Sequence, residues 1–141
     1  MKYKKILRIF GIAIILSLLV VAVPVAAQTR FIDLDPEEGK IGDEITIVGE
    51  GFNASTDTTD KYANIYFSSQ EASTVHDIDD DVTRYNLLRE GVWLDEEGEF
   101  ETTFTVPDEL DDGDDEVDVE AGTYYVYVTH YPYVDIRAYA E

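Results

Sequence analysis

Cysteine is absent from all 141 residues of the chain, so no disulfide can stabilise its fold. Histidine occurs only twice, as His76 and His130, which are far apart in the sequence. Without a thiol, and with two isolated imidazoles, the chain has little from which to build a nucleophile–base pair or a histidine metal site. We therefore expect a protein that is not an enzyme, with no catalytic, cofactor-binding or metal-ligating residues.

Basic side chains are also scarce beyond the N-terminal segment. Residues 28–141 contain all 31 acidic residues and only six basic ones, which gives them a formal charge of −25. This balance excludes nucleic acid as a partner, because binding to nucleic acid requires Lys and Arg to neutralise phosphates. Mutual repulsion of the carboxylates predicts a fold whose stability rises with salt or with divalent cations. The basic residues are Arg30, Lys40, Lys61, Arg84, Arg89 and Arg137.

One long apolar run is present, and it lies at the N terminus. Basic residues precede it, Ile9 to Val23 is almost unbroken apolar sequence, and Val25-Ala26-Ala27 supplies small or modest residues before Gln28. This pattern predicts a signal peptide over residues 1–27 and an exported domain over residues 28–141. An uncleaved anchor helix is the alternative, because the run approaches the roughly 20 residues that span a bilayer. Either interpretation places the domain outside the cytoplasm, secreted or at the cell surface.

Apolar and polar residues alternate with a period of two from Phe31 onward, and no amphipathic helix is evident there. Ile32 and Leu34, for example, alternate with acidic residues, and turn sequences such as Asp95-Glu96-Glu97-Gly98 separate the runs. About seven strands at regular spacing predict an all-β fold, an antiparallel β-sandwich. Between them, Ser68 to Arg84 is predicted to be a polar loop. Tyr85 to Leu88 is predicted to begin a strand, with a short helical turn as the alternative.

Aromatic residues are plentiful, and several fall on positions that face away from the predicted core. If their strands are neighbours, Tyr66, Tyr125, Tyr127 and Tyr139 form an exposed stripe. Such a stripe either stabilises the sheet through cross-strand pairs or docks a sugar or another domain. The single tryptophan, Trp93, is predicted to be a core or edge anchor.

Three acidic loops are predicted to share one pole of the sandwich: Asp35 to Asp43, Ser68 to Arg84 and Asp108 to Ala121. Hard cations prefer oxygen-rich clusters, so calcium is the one cofactor hypothesis that the composition raises. The run Asp111 to Glu116 lacks the alternating ligands of an EF-hand loop. The alternative is a solvated loop with no bound ion.

A resemblance to a known family comes from motifs along most of the domain. Pro36-Glu37-Glu38-Gly39, the strand Ile45-Thr46-Ile47 and Gly49-Glu50-Gly51-Phe52 resemble the opening of an IPT/TIG domain of the exported bacterial or archaeal type. Val106-Pro107 and Gly122-Thr123-Tyr124 are similar to its middle and end. The resemblance implies an immunoglobulin-like fold, in which Phe52 plugs one end of the core and the Tyr124 hydroxyl caps backbone groups in a tyrosine corner.

Such motifs specify fold more strongly than function. We expect a non-catalytic extracytoplasmic binding module of a cell-surface or secreted protein, whose partner is a protein or glycan or a neighbouring domain of the same protein. A structural spacer or envelope-lattice component and a carbohydrate-binding module are the alternatives. A membrane is expected as a partner only through an uncleaved N-terminal segment. Because the sequence stops at Ala140-Glu141, without the family's usual strand ending, we also expect a last strand that is cut short.

Overall fold

The computed structural model describes residues 29–141. The predicted signal peptide or anchor helix over residues 1–27 lies outside the described residues. No helix within residues 29–141 is both long enough and apolar enough to cross a bilayer.

Nine strands and one short helix make up the described part of the chain. The strands are β1 (Phe31–Asp35), β2 (Glu44–Glu50), β3 (Lys61–Ser68), β4 (Tyr85–Leu94), β5 (Phe100–Thr105), β6 (Glu109–Leu110), β7 (Val117–Asp118), β8 (Tyr125–His130) and β9 (Ile136–Ala140), and the helix α1 is Ile78–Asp81.

Seven of these strands form two antiparallel sheets. One sheet has the order β1-β2-β5, the other has the order β4-β3-β8-β9, and β6 and β7 form a separate small hairpin. The inward-facing residues of both sheets meet in one main core, so the two sheets are layers of a sandwich. The predicted all-β antiparallel fold is confirmed, as is the strand that begins at Tyr85.

Period-two alternation explains why these segments form strands. In β1, Ile32 and Leu34 are buried while the residues between them are exposed, and β2 buries Ile45 and Ile47 in the same way. Across the sandwich, β3 contributes Ile65, which is fully buried. Each strand therefore removes one apolar face from water, and this burial provides the main driving force for folding.

Phe52 closes one end of the main core, as predicted. Its ring is almost fully buried and packs edge-to-face against Phe100, with 5.5 Å between the ring centroids. Phe100 in turn lies over Gly49, its partner across β2 and β5, where a Cβ atom would overlap the ring. The glycine therefore leaves room for the ring that fills this end of the core.

The strand connections define two opposite ends of the sandwich. The N-terminal pole contains Thr29 and the connections 51–60, 95–99 and 131–135. The C-terminal pole contains the connections 36–43 and 106–124 and the last residue, Glu141.

A covering segment, residues 69–84, lies across the outer face of the four-stranded sheet. It starts at the C-terminal pole but reaches the other end of β9, where the Ile136 amide donates to the His76 carbonyl at 3.1 Å. Ala72, Ile78 and Val82 of the segment are buried in a second core with Tyr66, Tyr127 and Ile136. The expectation of a polar loop confined to one pole is therefore wrong, because this segment has an apolar side.

The same segment changes the predicted tyrosine stripe. Tyr66 and Tyr127 are buried beneath it and Tyr125 is half-buried, so only Tyr139 remains exposed. The four side chains do share the outer face, and Tyr127 lies opposite Tyr66 on one side and Tyr139 on the other. The stripe exists, but most of it stabilises a second core and is not accessible to a ligand.

The β6–β7 hairpin is hydrogen-bonded along the edge of β4. The Asp112 carboxylate accepts a hydrogen bond from the Leu87 amide at 2.7 Å. The Asn86 side chain donates to the Glu109 carbonyl and accepts from the Asp111 amide, at 2.7 Å each. The hairpin thereby covers part of an edge strand that would otherwise expose unpaired backbone groups. The acidic side chains of the run Asp111 to Glu116 are thus exposed to solvent, while the run itself is hydrogen-bonded to the edge of the sheet.

Candidate functional site

The C-terminal pole contains a cleft of about 700 Å³ that opens between the two sheets. Its floor is one end of the main core, where the lining side chains are largely buried. Its rim is formed by the β1–β2 connection, the residues before β8 and the end of the chain. The apolar floor residues include Leu34, Ile45, Phe67, Phe104, Val106 and Val126. The charged rim residues are Glu37, Glu38, Lys40, Glu120 and Glu141.

The tyrosine corner holds one wall of the cleft. The Tyr124 hydroxyl donates to the Glu120 carbonyl at 3.0 Å and accepts from the Glu120 amide at 2.9 Å, so it fixes the turn that leads into β8. The Tyr124 ring stacks on Phe67, with the centroids 4.9 Å apart and the planes 4° from parallel. The predicted capping role of Tyr124 is confirmed.

Hydrogen bonds also order the opposite wall, the β1–β2 connection. The Asp43 carboxylate accepts from the Lys40 amide at 2.8 Å, and the Asp43 amide donates to the Lys40 carbonyl at 2.9 Å. Gly42 and Asp43 are joined to Val106 by backbone hydrogen bonds of 2.9 Å each. Both walls are therefore held by hydrogen bonds to backbone groups, so the cleft is a built feature of the fold.

The charges at the rim have one dominant sign. Four exposed carboxylates surround the opening, against the single ammonium group of Lys40. Carboxylates beside a low-dielectric apolar floor raise the local concentration of cations. The arrangement offers contact area to an apolar group and electrostatic attraction to a positive charge beside it.

Two of the three acidic loops predicted to share a pole do so. Residues 35–43 and 108–121 lie at the C-terminal pole, whereas most of residues 68–84 lie over the outer sheet face. Within residues 29–141, no three acidic or imidazole side chains are arranged so that they could hold a metal ion. The calcium hypothesis stays a prediction.

Each of the two histidines contacts residues of the fold. The His76 ring lies in the covering segment, where Nδ1 accepts from the Ser73 amide at 3.0 Å. His130 is buried at the N-terminal pole beside Phe52, with 5.9 Å between the ring centroids. Burial lowers the pKa of His130, and the nearby charges of Arg30 and Arg137 lower it further. The neutral imidazole is therefore the form that the fold favours.

Trp93 is not a core anchor, which was one of its two predicted roles. It lies on the edge strand β4, opposite Tyr62 of β3, and half of its surface is exposed. The edge location agrees with the other predicted role, but the ring contributes little to the core. Nothing in the acidic runs of the sequence predicted that Trp93 would be exposed or that a cleft would form.

The floor of the cleft could not be found from the sequence, because its residues come from strands that are far apart along the chain. The strongest available signal was Gly122-Thr123-Tyr124, which predicted the tyrosine corner but not the space beside it. No protein-family model matches the chain, and no curated protein is significantly similar to it.

Proposed function

We propose that the chain is an exported, non-catalytic binding module of the cell surface, of IPT/TIG type and with an immunoglobulin-like fold. Seven antiparallel strands in two layers and the tyrosine corner at Tyr124 support the fold assignment. The N-terminal pattern of the sequence supports export.

The observation that carries the binding function is the ordered cleft with its apolar floor and acidic rim. A ligand that fits it inserts one apolar side chain between the sheets and keeps a positive charge near the rim. A segment of a partner protein in which a leucine or an aromatic residue adjoins lysine or arginine has this chemistry. The carbohydrate alternative receives less support, because most of the tyrosine stripe on which it depended is covered.

A peptide-binding experiment tests this function. A library of fluorescein-labelled decapeptides, each with one large apolar residue beside one to three lysines, is titrated with the protein and binding is followed by fluorescence anisotropy. Replacing Glu37, Glu38 and Glu120 by Gln removes three rim charges, and we expect the best peptide to bind at least fivefold more weakly.

The matched control removes the same charge at the other pole, through Gln at the exposed residues Glu96, Glu97 and Glu99. The cleft proposal requires this variant to bind as the unaltered protein does. Equal weakening by the two triple variants would show that the net charge of the protein, and not the cleft, attracts the peptides. A library with no binder would remove the proposed ligand class.

A further inference from the structure

Exposed aromatic side chains are concentrated at the N-terminal pole. Among residues 29–141, four of the five exposed large aromatic residues lie there, and the fifth is Tyr139. The exposed fractions of the four are 48% for Phe31, 51% for Trp93, 48% for Tyr131 and 63% for Tyr133. An aromatic ring that is left in water gives up the burial energy that the core residues gain.

These rings sit on backbone that belongs to the strands or is hydrogen-bonded to them. Phe31 opens β1 and Trp93 is the penultimate residue of β4. The β8–β9 turn is joined to β3, because the Tyr131 amide donates to the Tyr62 carbonyl at 3.0 Å. The turn is closed by the Tyr133 amide, which donates to the His130 carbonyl at 2.6 Å. The rings are thus presented by strand ends and by a turn joined to the sheet.

The rest of the chain enters the domain at this same pole. The apolar run that ends at Val23 is followed by only five residues before Thr29. A connection of that length spans at most about 20 Å, since an extended chain covers about 3.5 Å per residue. With the apolar run retained in a bilayer, the N-terminal pole therefore lies within reach of the lipid headgroups.

We propose that the N-terminal pole docks on the headgroup region of the membrane that holds the N-terminal segment, with Trp93, Tyr131 and Tyr133 as interfacial anchors. Tryptophan and tyrosine are the side chains that favour this region, because each combines an apolar ring with a polar atom that stays hydrated. The proposal is independent of the ligand of the cleft, which lies at the opposite pole and would face away from the bilayer.

The charges around the pole select the kind of lipid. Asp95, Glu96 and Glu97 lie beside the aromatic residues, and the basic residues at this pole are Arg30, Lys61 and Arg137. An anionic membrane surface would repel these carboxylates within about a Debye length. Docking should consequently be stronger on zwitterionic than on anionic bilayers, and salt should reduce the difference.

The lone tryptophan provides the test. The full-length chain is reconstituted in phosphatidylcholine vesicles, and quenching of Trp93 fluorescence by aqueous acrylamide and by lipids brominated near the headgroup is measured. The matched control is the full-length double variant Trp93→Tyr/Tyr139→Trp, which moves the reporter to an exposed position on β9 away from the N-terminal pole. We expect acrylamide to quench Trp93 at least twofold less than the control, and brominated lipid to quench only Trp93.

A second variant tests the two tyrosine anchors. Replacing Tyr131 and Tyr133 by Ser should at least halve the quenching by brominated lipid, while far-ultraviolet circular dichroism verifies that the fold is retained. Equal quenching of Trp93 and of the control would overturn the proposal. If the protection of Trp93 from acrylamide depends on the ratio of protein to lipid, the aromatic residues of this pole contact a second copy of the chain and not the membrane, and the proposal is wrong. Recovery of the chain only in a form cut before Gln28 would also contradict the proposal, because the tether would then be missing.

Discussion

At the level of single residues, the second core depends on the hydroxyl of Tyr127. The Tyr127 ring is fully buried, and its hydroxyl donates to the Gln70 carbonyl at 2.5 Å and accepts from the Ala72 amide at 2.6 Å. Burial raises the pKa of Tyr127 to about 12, although the hydrogen bond from Ala72 acts in the opposite direction. One side chain thereby joins β8 to the covering segment.

Tyr127→Phe should lower the free energy of unfolding by about 1–3 kcal/mol, because it leaves the Gln70 carbonyl and the Ala72 amide without their partner. Urea denaturation measures the effect. Tyr139→Phe is the control, since the exposed Tyr139 should change stability by less than about 0.5 kcal/mol. Equal stability of the two variants would mean that water replaces the hydroxyl without cost.

His130 should make stability depend on pH in the acidic range. Burial, which has the largest effect, and the charges of Arg30, Arg137 and Lys61 lower the pKa of His130 below its ordinary 6.5, while a hydrogen bond with the Tyr62 backbone acts in the opposite direction. The unfolded chain therefore binds the proton more tightly, and stability falls as the pH drops from 6.5 towards the lowered value. Nuclear magnetic resonance titration of the imidazole should give a pKa below 6.5.

The His130→Gln variant isolates this contribution from the titration of the carboxylates. The unfolding free energy of the unaltered protein minus that of the variant should decrease as the pH falls from 7 to 5. A difference that does not vary with pH would show that His130 titrates alike in the folded and unfolded chains.

Among the elements, the covering segment is the one whose role the sequence did not reveal. Ala72, Ile78 and Val82 are its buried residues, and their spacing follows neither a strand nor a long helix. The helix α1 is a single turn, begun by the Asp77 carboxylate, which accepts from the Asp80 amide at 2.7 Å. The acidic composition of the covering segment is typical of a solvated loop, but three apolar side chains and the hydrogen bonds of Tyr127 and Ile136 hold the segment on the sheet.

Ile78→Ala should lower the free energy of unfolding by about 2–5 kcal/mol, the usual range for removing a fully buried aliphatic side chain. Chemical denaturation followed by circular dichroism measures it, and hydrogen exchange at the Ala72 amide reports whether the segment opens first. Ile41→Ala is the control, because half of the Ile41 side chain is exposed. A loss no larger than that of the control would mean that the segment does not contribute to a cooperative core.

For the whole molecule, charge repulsion is the dominant electrostatic effect. The ion pairs within residues 29–141 are Arg84 with Asp115 at 3.4 Å and Arg137 with Asp135 at 3.1 Å, and both are well exposed to solvent. Exposed pairs of this kind contribute little. Carboxylates also repel one another in the β6–β7 hairpin, where a side-chain hydrogen bond with Glu116 and its charge raise the pKa of Glu109.

The melting temperature should therefore rise with sodium chloride, since screening weakens the repulsion among the carboxylates. Thermal melts between low and physiological ionic strength measure this rise. Calcium chloride at the same ionic strength is the comparison for a specific site: an additional, saturable increase would support the calcium hypothesis. A melting temperature that is independent of salt would contradict the view that repulsion limits stability.

Short-range patterns predicted the strands, because side chains of a strand point alternately to the two faces of the sheet. The apolar face of β1 and β2 could therefore be identified from neighbouring residues, namely Ile32, Leu34, Ile45 and Ile47. Tyr124 was equally predictable, since its hydroxyl caps Glu120, only four residues earlier. The net charge, the all-β class and the prediction of export follow from such local features and from composition.

Long-range packing determined the remaining features. Tyr66 and Tyr127 alternate as outward-facing residues do, yet they are buried because residues 69–84 return over them. The cleft exists because Leu34, Phe67 and Val126, from three separate strands, end at the same pole without filling the space between the sheets. Local sequence dictates which side of a strand is apolar, whereas only the folded chain decides what covers that side, because the covering groups are distant in sequence.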